Sequence, residues 1–155
     1  MEKVTTCQIC ARPIKARTGV IAHHGYQRPW GEGWQTESCF GARYQPYEVA
    51  CDAMQPYVDM VAKYLEVRRA FLKDLKKNPP EKLLNSWLGS NPEYVERPVD
   101  FDFDSYGFGV RRSMPRSYEN AYGKLVYTAE NDIKHATAEI KKVEKRLSEW
   151  APAKI

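Results

Sequence analysis

The sequence predicts a mainly α protein. A small β-containing N-terminal module is built around clustered cysteines, and an antiparallel, coiled-coil-like helical hairpin follows, with a short β-hairpin inserted between its helices. Three observations predict this. All four cysteines and two of the three histidines lie between positions 7 and 51. Two later segments, helical over about 56–77 and 117–150, carry apolar residues at alternating four- and three-residue steps. The connection between them, about forty residues, is too long to be structureless in a compact chain. The expected division is a finger module over 1–52 and a helical hairpin over 53–155, with an inserted short helix and β-hairpin at about 81–112.

The N-terminal module reads TCQICARPIKARTGVIAHHGYQRPWGEGWQTESCFGARYQPYEVAC. Cys7-Gln-Ile-Cys10 has the two-residue spacing that lets two thiolates face one metal ion across a tight turn, and His23, His24 and Cys39 follow. Thiolates and imidazoles are the usual ligands of a structural zinc ion, which takes four of them in a tetrahedron. The predicted set is Cys7, Cys10, Cys39 and one of His23 and His24. Adjacent residues on a strand point to opposite faces, so only one of the histidines reaches the ion if Thr18 to Ala22 runs as a strand. Cys51, beyond the glycine-rich region, reads as a small buried apolar residue. Gly19, Gly25, Gly31, Gly33 and Gly41 punctuate the segment, which buries little apolar surface of its own. A bound metal would supply the missing folding energy. Cys39 is expected near the start of a short helix.

Pro46 and Pro56 mark predicted helix beginnings, because proline is tolerated in a first turn. The first seam is Met54, Val58, Val61, Leu65, Leu72 and Leu75, interrupted by Arg68, and Asn78-Pro79-Pro80 ends the helix. The second helix starts after Ser117, a favourable cap, and its seam is Tyr122, Val126, Ala129, Ile133, Ala136, Ile140, Val143, Leu147 and Trp150. Two seams of similar length bury each other most simply as an antiparallel pair. Within the connection, 81–88 reads as a short helix closed by Gly89. VDFDFDSYGFGV alternates Val99, Phe101 and Phe103 against Asp100, Asp102 and Asp104, as a hairpin turning near 105–107 would. That aspartate row resembles the start of a calcium loop, but Arg111 stands where the closing glutamate belongs, so a solvated strand face is expected. The cations of 63–77 and 134–146 are mixed with glutamates and read as solvent-facing helix surface.

The net charge of +4 permits contact with nucleic acid without requiring it. No apolar run is long enough to cross a bilayer, and MEKVTTCQIC lacks the apolar core of a secretory signal. A cytoplasmic setting, with reduced thiols and no membrane partner, is expected. Arg28, Trp30, Trp34 and Arg43 interleave aromatic rings with forked cations around the metal ligands, which suits base stacking and phosphate contact or the anchors of a protein interface.

The stretch CQIC…GVIAHHGY…SCFGARYQPYEV resembles a group of small proteins encoded by bacteriophages and prophages, with an N-terminal cysteine-histidine finger and a helical remainder. The likeness covers 7–52 and, more loosely, the paired helices. It implies a phage or mobile-element origin. The expected function is a zinc-binding accessory protein that binds nucleic acid, or a host protein handling nucleic acid, as inhibitor or adaptor without catalysis. One alternative is a nuclease similar to the His-Asn-His family, which often pairs a Cys-x-x-Cys knuckle with a His-His dipeptide. His24 would then be the general base. This chain departs from that pattern in having no second Cys-x-x-Cys, no asparagine at the middle position and no histidine soon after Cys39. The other alternative is a structural or assembly protein that dimerises through its helices. The chain is expected as a monomer or a homodimer.

Overall fold

A computed structural model describes residues 4–15, 19–25, 38–85, 93–99 and 118–152. In chain order the elements are β1 (Val4–Thr6), β2 (Pro13–Lys15), α1 (Met54–Lys77), β3 (Lys82–Asn85), β4 (Glu93–Glu96) and α2 (Tyr118–Ser148). They form two compact units. One comprises Met1–Lys63 with Ala138–Ile155, and the other is Tyr64–Thr137. The two helices pack together, and each contributes to both units.

In the first unit, β1 and β2 pair antiparallel with Thr5 opposite Ile14, and the Cys7–Cys10 turn is the tip of that hairpin. Ala11 takes a left-handed conformation (φ 60°), where glycine is the easier occupant. This turns the chain so that the Cys7 amide donates to Arg12 O at 3.0 Å. The core joins the turn to both helices: Cys7, Ile9, Ile21, Ala53, Met54, Val58 and Val143 are buried together.

Four side chains hold the turn in place. Gln8 is fully buried, and its amide nitrogen donates to Gln45 O and to Asp52 Oδ1, both at 2.8 Å. Its carbonyl accepts the Ala53 amide at 2.7 Å, satisfying a donor at the start of α1 that no helical partner reaches. Arg146, in the last turn of α2, donates to the carbonyls of Gln8 (2.6 Å) and Ile9 (3.1 Å) and lies over the Tyr47 ring at 4.4 Å. Tyr47 returns its hydroxyl to Arg146 O, and the Trp150 indole donates to Tyr47 O at 2.7 Å.

In the second unit the helices run antiparallel. Arg68 meets Asp132 at 2.9 Å, while further along α1 Lys76 meets Glu130 at 3.1 Å. The Tyr122 hydroxyl donates to Leu75 O. Arg68, the break in the first seam, lies at the edge of the helix pair, over the Phe71 ring at 4.8 Å. The seams are otherwise seen as expected: Met54, Val58, Leu65 and Leu75 on α1, and Tyr122, Ala129, Ala136 and Val143 on α2, are buried.

Four local expectations are corrected. Residues 82–85 are not helix but β3, paired with β4 so that Leu83 lies opposite Val95. Leu83 is buried with Leu75, Tyr118 and Tyr122, and that packing outweighs the weak helix preference of so short a segment. Residues 19–22 are not a strand. Residues 41–43 form a turn rather than a short helix after Cys39, and Pro46 opens a single turn, with Ala50 N donating to Pro46 O at 3.0 Å. The hairpin expected over 99–110 and its aspartate row lie outside the described residues, Val99 excepted.

Candidate metal centre

Cys7, Cys10, His24 and Cys39 converge, with one ligand atom from each lying within 4.8 Å of the others. Cys7 and Cys10 come from the hairpin tip. His24 and Cys39 are brought in by two backbone links. Ile21 pairs with the segment after Cys39, its amide donating to Tyr44 O and its carbonyl accepting from Arg43 N, both at 2.8 Å. The Cys39 amide then donates to His24 O at 2.8 Å. Gly25, at φ +67°, has a left-handed backbone that favours glycine, and a Cβ there would touch Cys39 Cβ at 3.4 Å.

The choice between the two histidines follows from this path. Because 19–22 is not extended, strict alternation fails: Ile21 and His24, three residues apart, are both buried, while Ala22 and His23 are exposed. His24 Nε2 stands 3.2 Å from Cys10 Sγ, and its Nδ1 faces Ala22 O at 2.8 Å. A backbone carbonyl on one ring nitrogen fixes the tautomer that offers the other to a metal. His23 instead accepts from Arg43 Nε at 3.0 Å, away from the cluster.

The spacing fits a tetrahedral ion. Two thiolates at ~2.3 Å from one such ion stand ~3.8 Å apart. Cys7 and Cys39 Sγ are 3.8 Å apart, and all four cysteines are free thiols. Cys51 is half-buried against the core and is not among the converging ligands. Gly41 lets the ligands approach, because a Cβ there would lie 2.5 Å from Cys7 Sγ.

Without a cation the thiols oppose one another. Burial penalises the thiolate at each. At Cys10, hydrogen bonds from the Arg12 amide and from His24 outweigh that penalty and bring its pKa down to about 7. Burial, and then the charge on Cys7 and Cys10, push Cys39 up to about 12. Burial likewise raises Cys7. A divalent ion reverses this balance, since a coordinating thiol is held deprotonated.

Of the expected contact residues, Arg43 is described: exposed, left-handed at φ 70°, and held by His23. Arg28, Trp30 and Trp34 lie outside the described residues. Sequence reasoning missed Gln8 and Arg146. Gln8 sits at an unconstrained position of Cys-x-x-Cys. Arg146 reads as solvent-facing with its charged neighbours, although its place one residue before the seam's Leu147 puts it at the edge of the packed face. Among the described residues, no helix is long and apolar enough to cross a membrane. Comparison with protein-family models, with curated proteins and with solved structures finds no match.

Proposed function

We propose that the cluster is a structural zinc site and that the chain is a non-catalytic recognition module whose N-terminal unit binds nucleic acid. The observation that carries this is the completeness of the ligand set. Three thiols and one imidazole converge, which fills a zinc tetrahedron and leaves no open position for a reacting water. In this reading Cys7, Cys10, His24 and Cys39 hold the ion, and its role is to fix the hairpin tip against the 39–44 turn.

Both ring nitrogens of His24 are then engaged, one at the ligand cluster and one at Ala22 O, so His24 is not free to act as a general base. This weighs against the nuclease. Arg43 favours recognition: its backbone is fixed by the Ile21 pairing and its Nε by His23, and the end of its guanidinium has no partner among the described residues. Arg28, Trp30 and Trp34 belong to the 26–37 segment, whose flanking residues Gly25 and Ser38 adjoin the ligands His24 and Cys39. In the phage setting implied by the resemblance, such a module would act as an inhibitor or adaptor of host machinery.

The test combines elemental analysis with electrophoretic shift of labelled DNA and RNA. One zinc per chain is expected, together with a shift that Arg28→Ala with Trp30→Ala abolishes while zinc is retained. Protein without stoichiometric metal, or zinc-loaded protein that cleaves DNA when magnesium or manganese is added, would contradict this reading.

A further inference from the structure

Beside the ligands Cys10 and Cys39, and wholly within the first unit, lies an open cleft of about 520 Å³. That volume lies within the range of small-molecule and cofactor sites. Phe40, Tyr57 and Met60 supply its apolar and aromatic lining, and Arg12, Glu139 and Lys142 its charges. Phe40 is half-buried, stacked on Tyr44 at 5.8 Å between centroids and tilted against Tyr57 at 5.4 Å. Glu139 accepts weakly from the Tyr57 hydroxyl at 3.5 Å and pairs with Lys142 at 3.4 Å. Arg12 is exposed, and its guanidinium has no hydrogen-bond or ionic partner among the described residues.

We infer that this cleft binds one unstacked nucleotide, either free or within a single strand. Three features match three parts of that ligand. The Phe40 and Tyr57 rings offer a surface for a base, and stacking of this kind tolerates any base. The Glu139 carboxylate keeps acceptor capacity beyond its two long contacts, and amino and imino groups on base edges are donors. The Arg12 guanidinium matches a phosphate through a forked pair of N–H groups, and Lys142 adds a second cation to the cleft wall. An acidic peptide would satisfy the cations but would set its carboxylates against Glu139 without supplying a donor from its side chains. Bases stacked inside a duplex cannot enter a cleft of this kind, so the site selects single strands.

The inference rests on the reading of the first unit as a nucleic-acid module, and it adds a location and a preference. It also ties binding to the metal, because Cys10 and Cys39 form part of the wall.

The test uses the full, zinc-loaded chain. A labelled single strand, its duplex and free nucleoside monophosphates are titrated, and backbone amide shifts of Gly25, Ser38 and Phe40 are followed by NMR. Single strands should bind about tenfold or more tightly than duplex, and the monophosphates should shift the cleft amides. Arg12→Glu should weaken binding by about tenfold or more at unchanged zinc content, whereas Lys134→Glu, an equal change of charge on the exposed face of α2 in the second unit, should change it by less than about twofold. Glu139→Gln, which keeps the shape, should alter the order of preference among the four bases.

Nucleic-acid binding that is indifferent to Arg12→Glu and Glu139→Gln would overturn the cleft while leaving the recognition module standing. Monophosphates that bind in an Arg12-dependent way without any binding of strands would support the cleft and remove the nucleic-acid reading. Cleft shifts produced by an acidic peptide and by no nucleotide would overturn the inference in favour of protein docking. No binding of any of these ligands would overturn both.

Discussion

Gly41 has no side chain because Cys7 occupies the place where one would be. Gly41→Ala would put a methyl group 2.5 Å from Cys7 Sγ, against a buried ligand and not a flexible chain end. We expect this substitution to lower metal affinity by about ten- to a hundredfold, the range seen when groups that support metal ligands are altered. The helical circular dichroism should be nearly unchanged; competition with a chromophoric chelator checks the affinity.

The thiols supply a second prediction at this scale. In the metal-free protein, Cys10 ionises near pH 7 when folded and at its ordinary 9.0 when unfolded. Between those values the unfolded chain holds the extra proton, so stability rises with pH. Cys7 and Cys39 are raised, Cys39 to about 12, so above pH 9 the folded form holds the extra protons and stability falls. Urea titrations of metal-free protein should therefore show a maximum near pH 9. Zinc-loaded protein should lose that maximum and weaken in acid instead, as protons compete for the ligands. The ligand types were legible in the sequence because chemistry selects them. The choice of His24 over His23 was not, because it depends on a backbone path fixed by Ile21 pairing with Arg43 and Tyr44, residues more than twenty positions away.

Among the elements, the helices were the most readable. Their long periodic seams outweigh local detail, and the observed bounds of α1 and α2 fall within two residues of the expected ones. Seam positions are not equal, however. Met54 and Val143 are fully buried, whereas Ile140 is half-buried. Met54→Ala should cost about 2–5 kcal/mol, and Ile140→Ala should cost less, contrary to what equal weight along the seam would suggest. Chemical denaturation of the zinc-loaded variants compares the two. The short strands were hard to read for the opposite reason. Lys82–Asn85 carries four residues of pattern, and its conformation is decided by Leu83 reaching Leu75, Tyr118 and Tyr122. The β1–β2 hairpin likewise depends on pairings such as Thr5 Oγ1 to Ile14 O at 3.0 Å, and no run of alternation announces them.

At the scale of the molecule, the first unit joins chain segments more than a hundred residues apart. Arg146 reaches Gln8 O, and Trp150 reaches Tyr47 O. A metal at the hairpin tip would therefore hold the surface to which the tail of α2 is bonded, as well as a short N-terminal finger. The compact first unit contains the last turns of α2 together with the cysteine-bearing segment. The polar part of that joining is invisible to periodicity because it is made by single side chains, whereas its apolar part uses the seam residue Val143. X-ray absorption at the zinc edge, on protein purified without chelator, measures the shell directly. Three sulfurs at ~2.3 Å and one nitrogen at ~2.0 Å, changing to two sulfurs with loss of affinity in Cys39→Ser, is the expected result. A shell with oxygen from water in place of a protein ligand, or one unchanged when Cys39 or His24 is replaced, would contradict a closed structural site.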